Sequence, residues 1–558
     1  MEGNLQQDAE KFKKNASQYA GRWIAKVRNE IVGHGGTPGQ AQHAAKAARH
    51  KETPEICFVP MTTPLVFSPV LNQILSAFPT DIPIYLVGGA VRDLLVSRPV
   101  HDYDFILQDN SLEISRQIAN RIGAAYFPLD TKRGTARVIF TDQNGVRHIL
   151  DFSTNRGPNL DSDLRDRDFT INAMALDIQK PHELLDPLGG ASDLYKKLLR
   201  ACTPKSLIDD PVRILRAIRM AANYGLRIDP NTRQLMQKAV PELPRVSPER
   251  QRDELIRILA GKQPHISILA LQILGTFPFI MPELSSLVGL DQSPPHIKDV
   301  WHHTIDTIRV LEGIISTLSN SPDSEATGNL QLGILSMRLG RFRELIKKHL
   351  DLEPVIGRSV KSMLFLAALY HDVAKSQTRT IDENGHIRYF NHDQVGAAII
   401  IRRAKAFRLS NIETDRLATI IYHHMRPSFL SHSENGPSRR AVYRFFRDTG
   451  NAGIDICLLS LADVWATYGP TLPQDRWEKQ VDVVRTLLEA WWEQPNENIN
   501  PPSLISGNDI INELGINPGP IIGDILEEIR EAQVDKVVRT REEALIFADN
   551  YLKNLQAE

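Results

Sequence analysis

From about residue 80 to 200, short apolar or alternating runs are separated by helical stretches. "IPIYLVGG", "HDYDFIL", "ARVIFT" and "RHILDFS" carry the period-two signature of strands, and "SLEISRQIANRIGA" carries the longer period of an amphipathic helix. That pattern predicts an α/β domain. Beyond residue 205 the helical period takes over and persists, broken only by "STLSNSPDSEATGN" and "SHSENGPS", whose Ser, Asn and Gly content reads as loops. Residues 1–60 look separate: "GRWIAKV" and "EIVGHGG" read as strands, "PGQAQHAAKAARH" as an Ala-rich helix opened by proline, and "EICFVPM" as a further strand. Lys46, Arg49 and Lys51 fall near that helix's C-terminal end, where the helix dipole favours cations. No repeat or low-complexity tract appears.

A chain of 558 residues exceeds one hydrophobic core, so several domains are expected. The formal net charge of −1 excludes an overall basic excess and leaves only local patches for nucleic acid. Cys57, Cys202 and Cys457 are odd in number and far apart, which argues against a disulfide framework and for a reducing compartment. With no apolar leader and no long apolar run, the sequence predicts a cytoplasmic protein without a membrane partner.

Chemistry gathers in "LVGGAVRDLLVSRPVHDYDF". Asp102 and Asp104 alternate along a predicted strand, so both carboxylates leave the same face. Two such groups repel each other and favour divalent cations between them, an arrangement that clamps a triphosphate for in-line attack. Mg²⁺ suits it, being hard and content with one or two carboxylates plus phosphate oxygens. Asp151 in "RHILDFS" offers a third carboxylate. Gly88 and Gly89 allow backbone N–H groups close to a phosphate, and Arg92 can add a charged fork.

In this order the motifs resemble the class II tRNA nucleotidyltransferase and poly(A) polymerase family. "GGAVRD…HDYD" resembles its first motif and "DLRDRDFTINAMA" its second, which in the family holds the ribose and triphosphate; Arg167, Asp168 and Asn172 are the matching positions. "DPLGGASDL" resembles the hinge-like third, "DDPVRILRAIR" the fourth and "PERQRDEL" the fifth. Two positions depart from the family pattern: Asp166 replaces an arginine in the second motif, and Asp209 replaces a glutamate in the fourth.

Within "DDPVRILRAIR", Asp210, Arg213, Arg216 and Arg219 recur every three residues and form a polar stripe opposite Ile214, Leu215 and Ile218. Asp210 before Pro211 also reads as a helix cap. The resemblance implies that Asp210 and Arg213 read the base of the incoming nucleotide. A carboxylate accepts from the amino group of cytosine or adenine while a guanidinium donates to its ring, which selects CTP and ATP. Arg216 and Arg219 are implied to reach the nucleotide or its phosphates.

"VWHHTIDTI", "LAALYHDVAKS", "YFNHDQVGA", "IIYHHMRP" and "SLADVWA" supply His303, His371, Asp372, His392, His424 and Asp463. An adjacent His-Asp after an apolar run, with further ligands on helical segments, resembles the HD phosphohydrolase superfamily. Imidazole and carboxylate ligands suit a divalent transition metal or Mg²⁺ at a phosphoester-cleaving centre. Lys375 is placed to meet a phosphate. The C-terminal run "LISGNDIINELGINPGPIIGDILEEIREAQ" resembles the family's tail, a turn at Pro518-Gly519-Pro520 followed by an amphipathic helix.

The expected fold is α+β and multidomain. Residues 1–60 form a small ββαβ-like extension and 80–200 a mixed α/β head resembling DNA polymerase β. Residues 201–265 form a helical neck with the nucleotide-selecting helix, 295–475 an HD domain and 476–558 a helical tail. The expected reaction is template-independent addition of nucleotides to the tRNA 3′ end, with CTP, or CTP and ATP, as substrates. Its rivals are a poly(A) polymerase and an HD phosphohydrolase with an RNA-binding head. Only "PNLDS" separates "ILDFSTNRG" from "DLRDRDF", where family members that complete CCA carry a longer flexible segment; the expectation is CC or CCA addition, with the short link pointing to cytidine addition without the final adenosine. Nothing in the sequence sets an oligomeric state.

Overall fold

The computed structural model describes residues 19, 22–28, 30–35, 38–48, 52–59, 67–155, 157, 159–180, 184–319, 329–433 and 436–557. The chain divides into two compact units, Met1–Arg245 and Val246–Glu558.

In the first unit, β1 (Arg22–Val27), β2 (Glu30–Gly35) and β3 (Glu55–Val59) form an antiparallel sheet in the order β2-β1-β3. The helix Pro38–Ala47 packs on it through small residues: Ala25, Ala41 and Ala45 are buried, and a Cβ at Gly33 would stand 2.5 Å from the backbone nitrogen of Ala45. Lys46 sits in the helix's last turn, while Arg49 and Lys51 lie outside the described residues.

A seven-stranded sheet follows, in the order β10-β9-β4-β5-β8-β7-β6. Its strands are β4 (Ile84–Val87), β5 (Asp102–Leu107), β6 (Ala125–Asp130), β7 (Thr135–Thr141), β8 (Arg147–Thr154), β9 (Ala175–Asp177) and β10 (Leu184–Leu185). β5 and β8 are parallel and the other pairings antiparallel. The expected strands are β4, β5, β7 and β8. The sequence reading missed β6, which contains Pro128 and occupies an edge, where a missing N–H is tolerated. It also missed β9 and β10, which are too short to display a period.

Period two has a direct consequence in this sheet. Tyr103, Phe105, Leu107, Val138, Leu150 and Phe152 are buried in a core shared with the helices Pro69–Leu75 and Ser111–Ile122. Their neighbours Asp102, Asp104, Arg137 and Asp151 therefore emerge on the opposite face. Each large apolar side chain contributes about 1.5–3 kcal/mol on burial. A one-residue slip of β5 would lose Tyr103 and Phe105 from the core and force two aspartates into it, so the register of the carboxylates is set by the packing beneath them.

The second unit is helical apart from a hairpin, Arg379–Ile381 with Ile387–Tyr389. Helices Val300–Ser319 and Ala452–Tyr468 pack together, joined by Val360–Tyr370 and Asn411–His423. In Val360–Tyr370 every residue but Lys361 is buried, so this helix is enclosed on all sides and delivers its last residues into the interior. Pro520 opens the helix Pro520–Val534, as expected from Pro518-Gly519-Pro520. Buried Glu531 fixes that helix by accepting two hydrogen bonds of 2.6 Å from Arg444, with Arg440 and Arg447 also at its carboxylate. Of the two segments read as loops, residues 320–328 and 434–435 lie outside the described residues; Asn329 and Ser438 cap the helices that follow them.

Candidate active site and metal centre

Across the face of the sheet opposite that core, Val87, Asp104, Asp151 and Arg137 stand opposite one another on β4, β5, β8 and β7. Asp102 lies two residues before Asp104 on the same strand face. The structure thus brings together all three carboxylates singled out in the sequence. Crowding by protein raises the pKa of Asp104, and the charges of Asp151 and Asp102 add to that against the opposing pull of Arg167. A divalent cation relieves this repulsion, and an all-oxygen donor set suits a hard ion. Both oxygens of Asp151 are engaged: Arg137 donates from Nε and Nη2, each over 2.8 Å.

Gly88 closes β4 with φ +70°, a conformation that favours glycine, and caps the helix Gly89–Leu95. A Cβ there would stand 2.9 Å from Nη1 of Arg167 and 3.5 Å from Oδ2 of Asp104, so the turn approaches the carboxylates directly. Arg92 is buried and held. It donates to Asn172 Oδ1 over 2.6 Å, to both oxygens of Asp93 and to the Tyr224 hydroxyl, with the Tyr224 ring 4.2 Å from its guanidinium carbon. Its guanidinium is therefore embedded in a network that holds Asn172 in place.

Asp168 belongs to the same network. Its Oδ1 accepts from the backbone of Phe169 and from Asn172 Nδ2, and Arg216 Nη1 reaches its Oδ2 over 3.1 Å. Burial works against the carboxylate's charge, but Arg216 and these bonds hold its pKa below the usual range. Arg167 approaches Asp163 at 3.4 Å. In the helix Arg213–Tyr224 the expected stripe is present: Ile214, Leu215, Ala217, Ile218 and Met220 are buried, while Arg213, Arg216 and Arg219 are half-buried.

The capping role expected of Asp210 is not found. That helix begins at Arg213 after Val212, because residues 210–212 turn before it starts, and no side chain caps it. The Asp210 carboxylate lies 3.7 Å from Arg213 Nε instead. Arg213 also donates to the backbone carbonyls of Ser206, Arg167 and Asp166, which ties this helix to the second motif.

In the second unit the six HD residues converge in two groups. Ligand atoms of His303, His371 and Asp463 lie within 4.8 Å of one another, as do those of Asp372, His392 and His424. His303 Nε2 stands 3.0 Å from Asp463 Oδ1 and 3.5 Å from Asp372 Oδ2; His371 Nε2 is 3.2 Å from the same Asp372 oxygen. The Nδ1 atoms of His371, His392 and His424 bond the backbone carbonyls of Ala368, Tyr389 and Ile421, each three residues earlier. Nε2 of His303 and of His371 are buried with no hydrogen bond made, each facing a carboxylate oxygen, at 3.0 Å and 3.2 Å. Orphaned buried lone pairs on a four-imidazole, two-carboxylate set fit a bound divalent metal. Burial drives the His424 pKa down to about 4, whereas Asp372 and the other carboxylate keep His371 above its usual value despite burial. Asp372 is itself held well below the carboxylate range by His371 and Lys375, which outweigh its burial.

Lys375 is buried, 2.7 Å from Asp372 Oδ2, and donates to Gln292 Oε1 over 2.7 Å. Gln292 and His296 were not singled out in the sequence. The His296 ring meets that of His303 edge-on at 5.2 Å, and burial lowers its pKa to about 4. The sequence reading also passed over Arg137, because an arginine in "ARVIFT" reads only as an outward strand position until its neighbour on β8 is known.

Comparison with known proteins agrees with this geometry. Residues 84–200 match the family described as "Poly A polymerase head domain", residues 225–287 "Probable RNA and SrmB- binding site of polymerase A", and residues 336–464 "HD domain". Residues 14–62 match a family of unknown function. An A-adding tRNA nucleotidyltransferase of Deinococcus radiodurans is 31% identical over 472 residues, covering 84% of this chain and 95% of that protein. A CC-adding tRNA nucleotidyltransferase of Thermus thermophilus is 30% identical over 481 residues, covering 84% and 94%. The fold is shared with a CCA-adding enzyme solved with CTP, at TM-score 0.55 and 23% identity over 87% of this chain and 96% of that one. A Thermotoga maritima CCA-adding enzyme solved with tRNA shares it too, at TM-score 0.52 and 21% identity over 88% and 97%. Among the described residues no helix is long and apolar enough to cross a membrane. The chain belongs to the tRNA nucleotidyltransferases, enzymes that add nucleotides to tRNA 3′ ends.

Proposed function

We propose that this chain adds the two cytidines of the CCA end and leaves the adenosine to another enzyme. The observation that carries the reading is the link between β8 and the second motif. β8 ends at Thr154 and the helix Leu160–Arg165 begins after five intervening residues, under a reciprocal cap in which Asn159 and Ser162 bond each other's backbone. Asn155 is tied at the other end, its N–H bonded to the Leu107 carbonyl over 2.9 Å. A segment so short and so anchored has no reach with which to reshape the nucleotide pocket for ATP. Relatives named A-adding and CC-adding are 31% and 30% identical to the chain, so the reading rests on the link and not on likeness. Given tRNA that ends before CCA, with CTP and ATP together, the product should be two nucleotides longer than the substrate. A three-nucleotide product overturns CC addition, and ATP addition confined to tRNA already ending in CC reverses it.

In this reading Asp102 and Asp104 hold Mg²⁺ and the Gly88–Gly89 turn receives the triphosphate. The metal supplies charge neutralisation at the reacting phosphate; positioning by the protein supplies much of the remaining rate. Asp210 and Arg213 read the base, and Arg92, Arg167, Asp168, Asn172, Arg216 and Arg219 shape its pocket. Asp210→Ala or Arg213→Ala should relax discrimination against UTP and GTP by about ten- to a hundredfold, since a good bidentate base contact is worth roughly 1–3 kcal/mol. Single-nucleotide assays measure this, and unchanged selectivity would leave Asp210 and Arg213 a purely structural pair.

For the second site, nitrogen-rich ligation by His303, His371, His392 and His424 with Asp372 and Asp463 favours a divalent transition metal over Mg²⁺. That donor set supports phosphoester hydrolysis as an additional activity.

A further inference from the structure

The Arg137–Asp151 pair stands beside Asp104 and holds neither the metal nor the base. Its fork uses the Nε and Nη2 edge of the guanidinium, 2.8 Å from each oxygen of Asp151. A carboxylate gripped in this way is committed to a cation of its own sheet. Arg137 is 39% exposed, and its Nη1 edge lies outside the fork.

The pair is also placed on one particular side. Gly88, Gly89 and Arg167 lie on the β4 side of Asp104, whereas Arg137 lies two strands away in the other direction, on β7. In an in-line displacement the attacking and departing oxygens occupy opposite sides of the phosphorus. With the triphosphate over the β4 turn, the attacking 3′-hydroxyl and the RNA strand behind it come in over β8 and β7. Thr135 and Ser153 continue that face and line a cleft of about 1080 Å³ that also takes in Lys132 and Arg133. Asp109, Glu113 and Asp130 share the lining, so the cleft is not a general trap for polyanions.

We propose that Arg137 receives a backbone phosphate at the growing tRNA end, and that Asp151 is a positioning residue that fixes its guanidinium instead of a third metal ligand. This rests on the nucleotidyl-transfer reading of that sheet face. The test uses the full chain, tRNA ending before CCA, and CTP. Arg137→Ala should weaken tRNA binding, measured without nucleotide, by about tenfold. It should also reduce the salt dependence of binding by about one phosphate contact and leave KM for CTP unchanged. Arg137→Lys should restore part of the binding, because it keeps the charge and loses the fork. Asp151→Asn should weaken tRNA binding as Arg137→Ala does and lose far less addition at saturating tRNA than Asp102→Ala. Asp151→Asn as inactive as Asp102→Ala would make Asp151 a metal ligand and overturn the proposal. So would unchanged tRNA binding in Arg137→Ala, or a rise in KM for CTP matching the loss of tRNA affinity. Failure of the unaltered chain to add cytidine would instead remove the reading of the whole face.

Discussion

Asp102→Ala or Asp104→Ala will lower nucleotide addition by more than about a thousandfold, because several kcal/mol of charge stabilisation at the reacting phosphate is lost with the metal. Both side chains leave β5 on the face away from the core that Tyr103 and Phe105 build. The variants should therefore fold and melt as the unaltered chain does, and tRNA binding should persist. Addition is followed on tRNA ending before CCA, with binding measured separately. A near-normal rate in either variant would dismiss the pair as the metal-holding carboxylates.

The second large effect is expected at the HD centre. Exchanging His371 and Asp372 together for alanine should abolish metal retention, read by elemental analysis, and any phosphoesterase activity, while nucleotide addition continues. His371 and Asp372 contribute one ligand to each group of three, so one double exchange disables both groups. The alanine variant also strands buried Lys375 without its carboxylate, a costly state. His371→Gln with Asp372→Asn keeps the volume and a polar partner, and should give the same loss of metal with less loss of stability. Simultaneous loss of nucleotide addition in both variants would mean that one folding defect, and not a separate site, explains the result.

Much of the head was readable because its chemistry follows the strand period. Asp102 and Asp104 are two residues apart, and the same alternation that buries Tyr103 exposes them. The HD ligands were readable as residue types following apolar runs; in the folded chain His303 is buried while its neighbour His302 bonds Asp299 outside. What stayed hidden depends on pairing across long sequence distances. Arg137 meets Asp151 only through the register of β7 with β8, and Lys375 meets Gln292 across 83 residues. At Asp210 only the capping role failed, for the opposite reason: Asp-Asp-Pro is a good local cap signal, but the intervening turn moved the helix start past it.

The histidine–carbonyl bonds of the HD centre carry a consequence for how the site is made. His371 and His424 each occupy the C-terminal cap position of a helix, where carbonyls lack intrahelical partners. A carbonyl can only accept, so each imidazole must keep its proton on Nδ1, and the lone pair is left on Nε2. The tautomer of these ligands is thus dictated by where a helix stops, and no remote carboxylate is needed to choose it. A change that extended either helix by one turn would rotate the imidazole out of the site and free its tautomer together. Folding of the apo protein therefore already prepares both nitrogens for coordination.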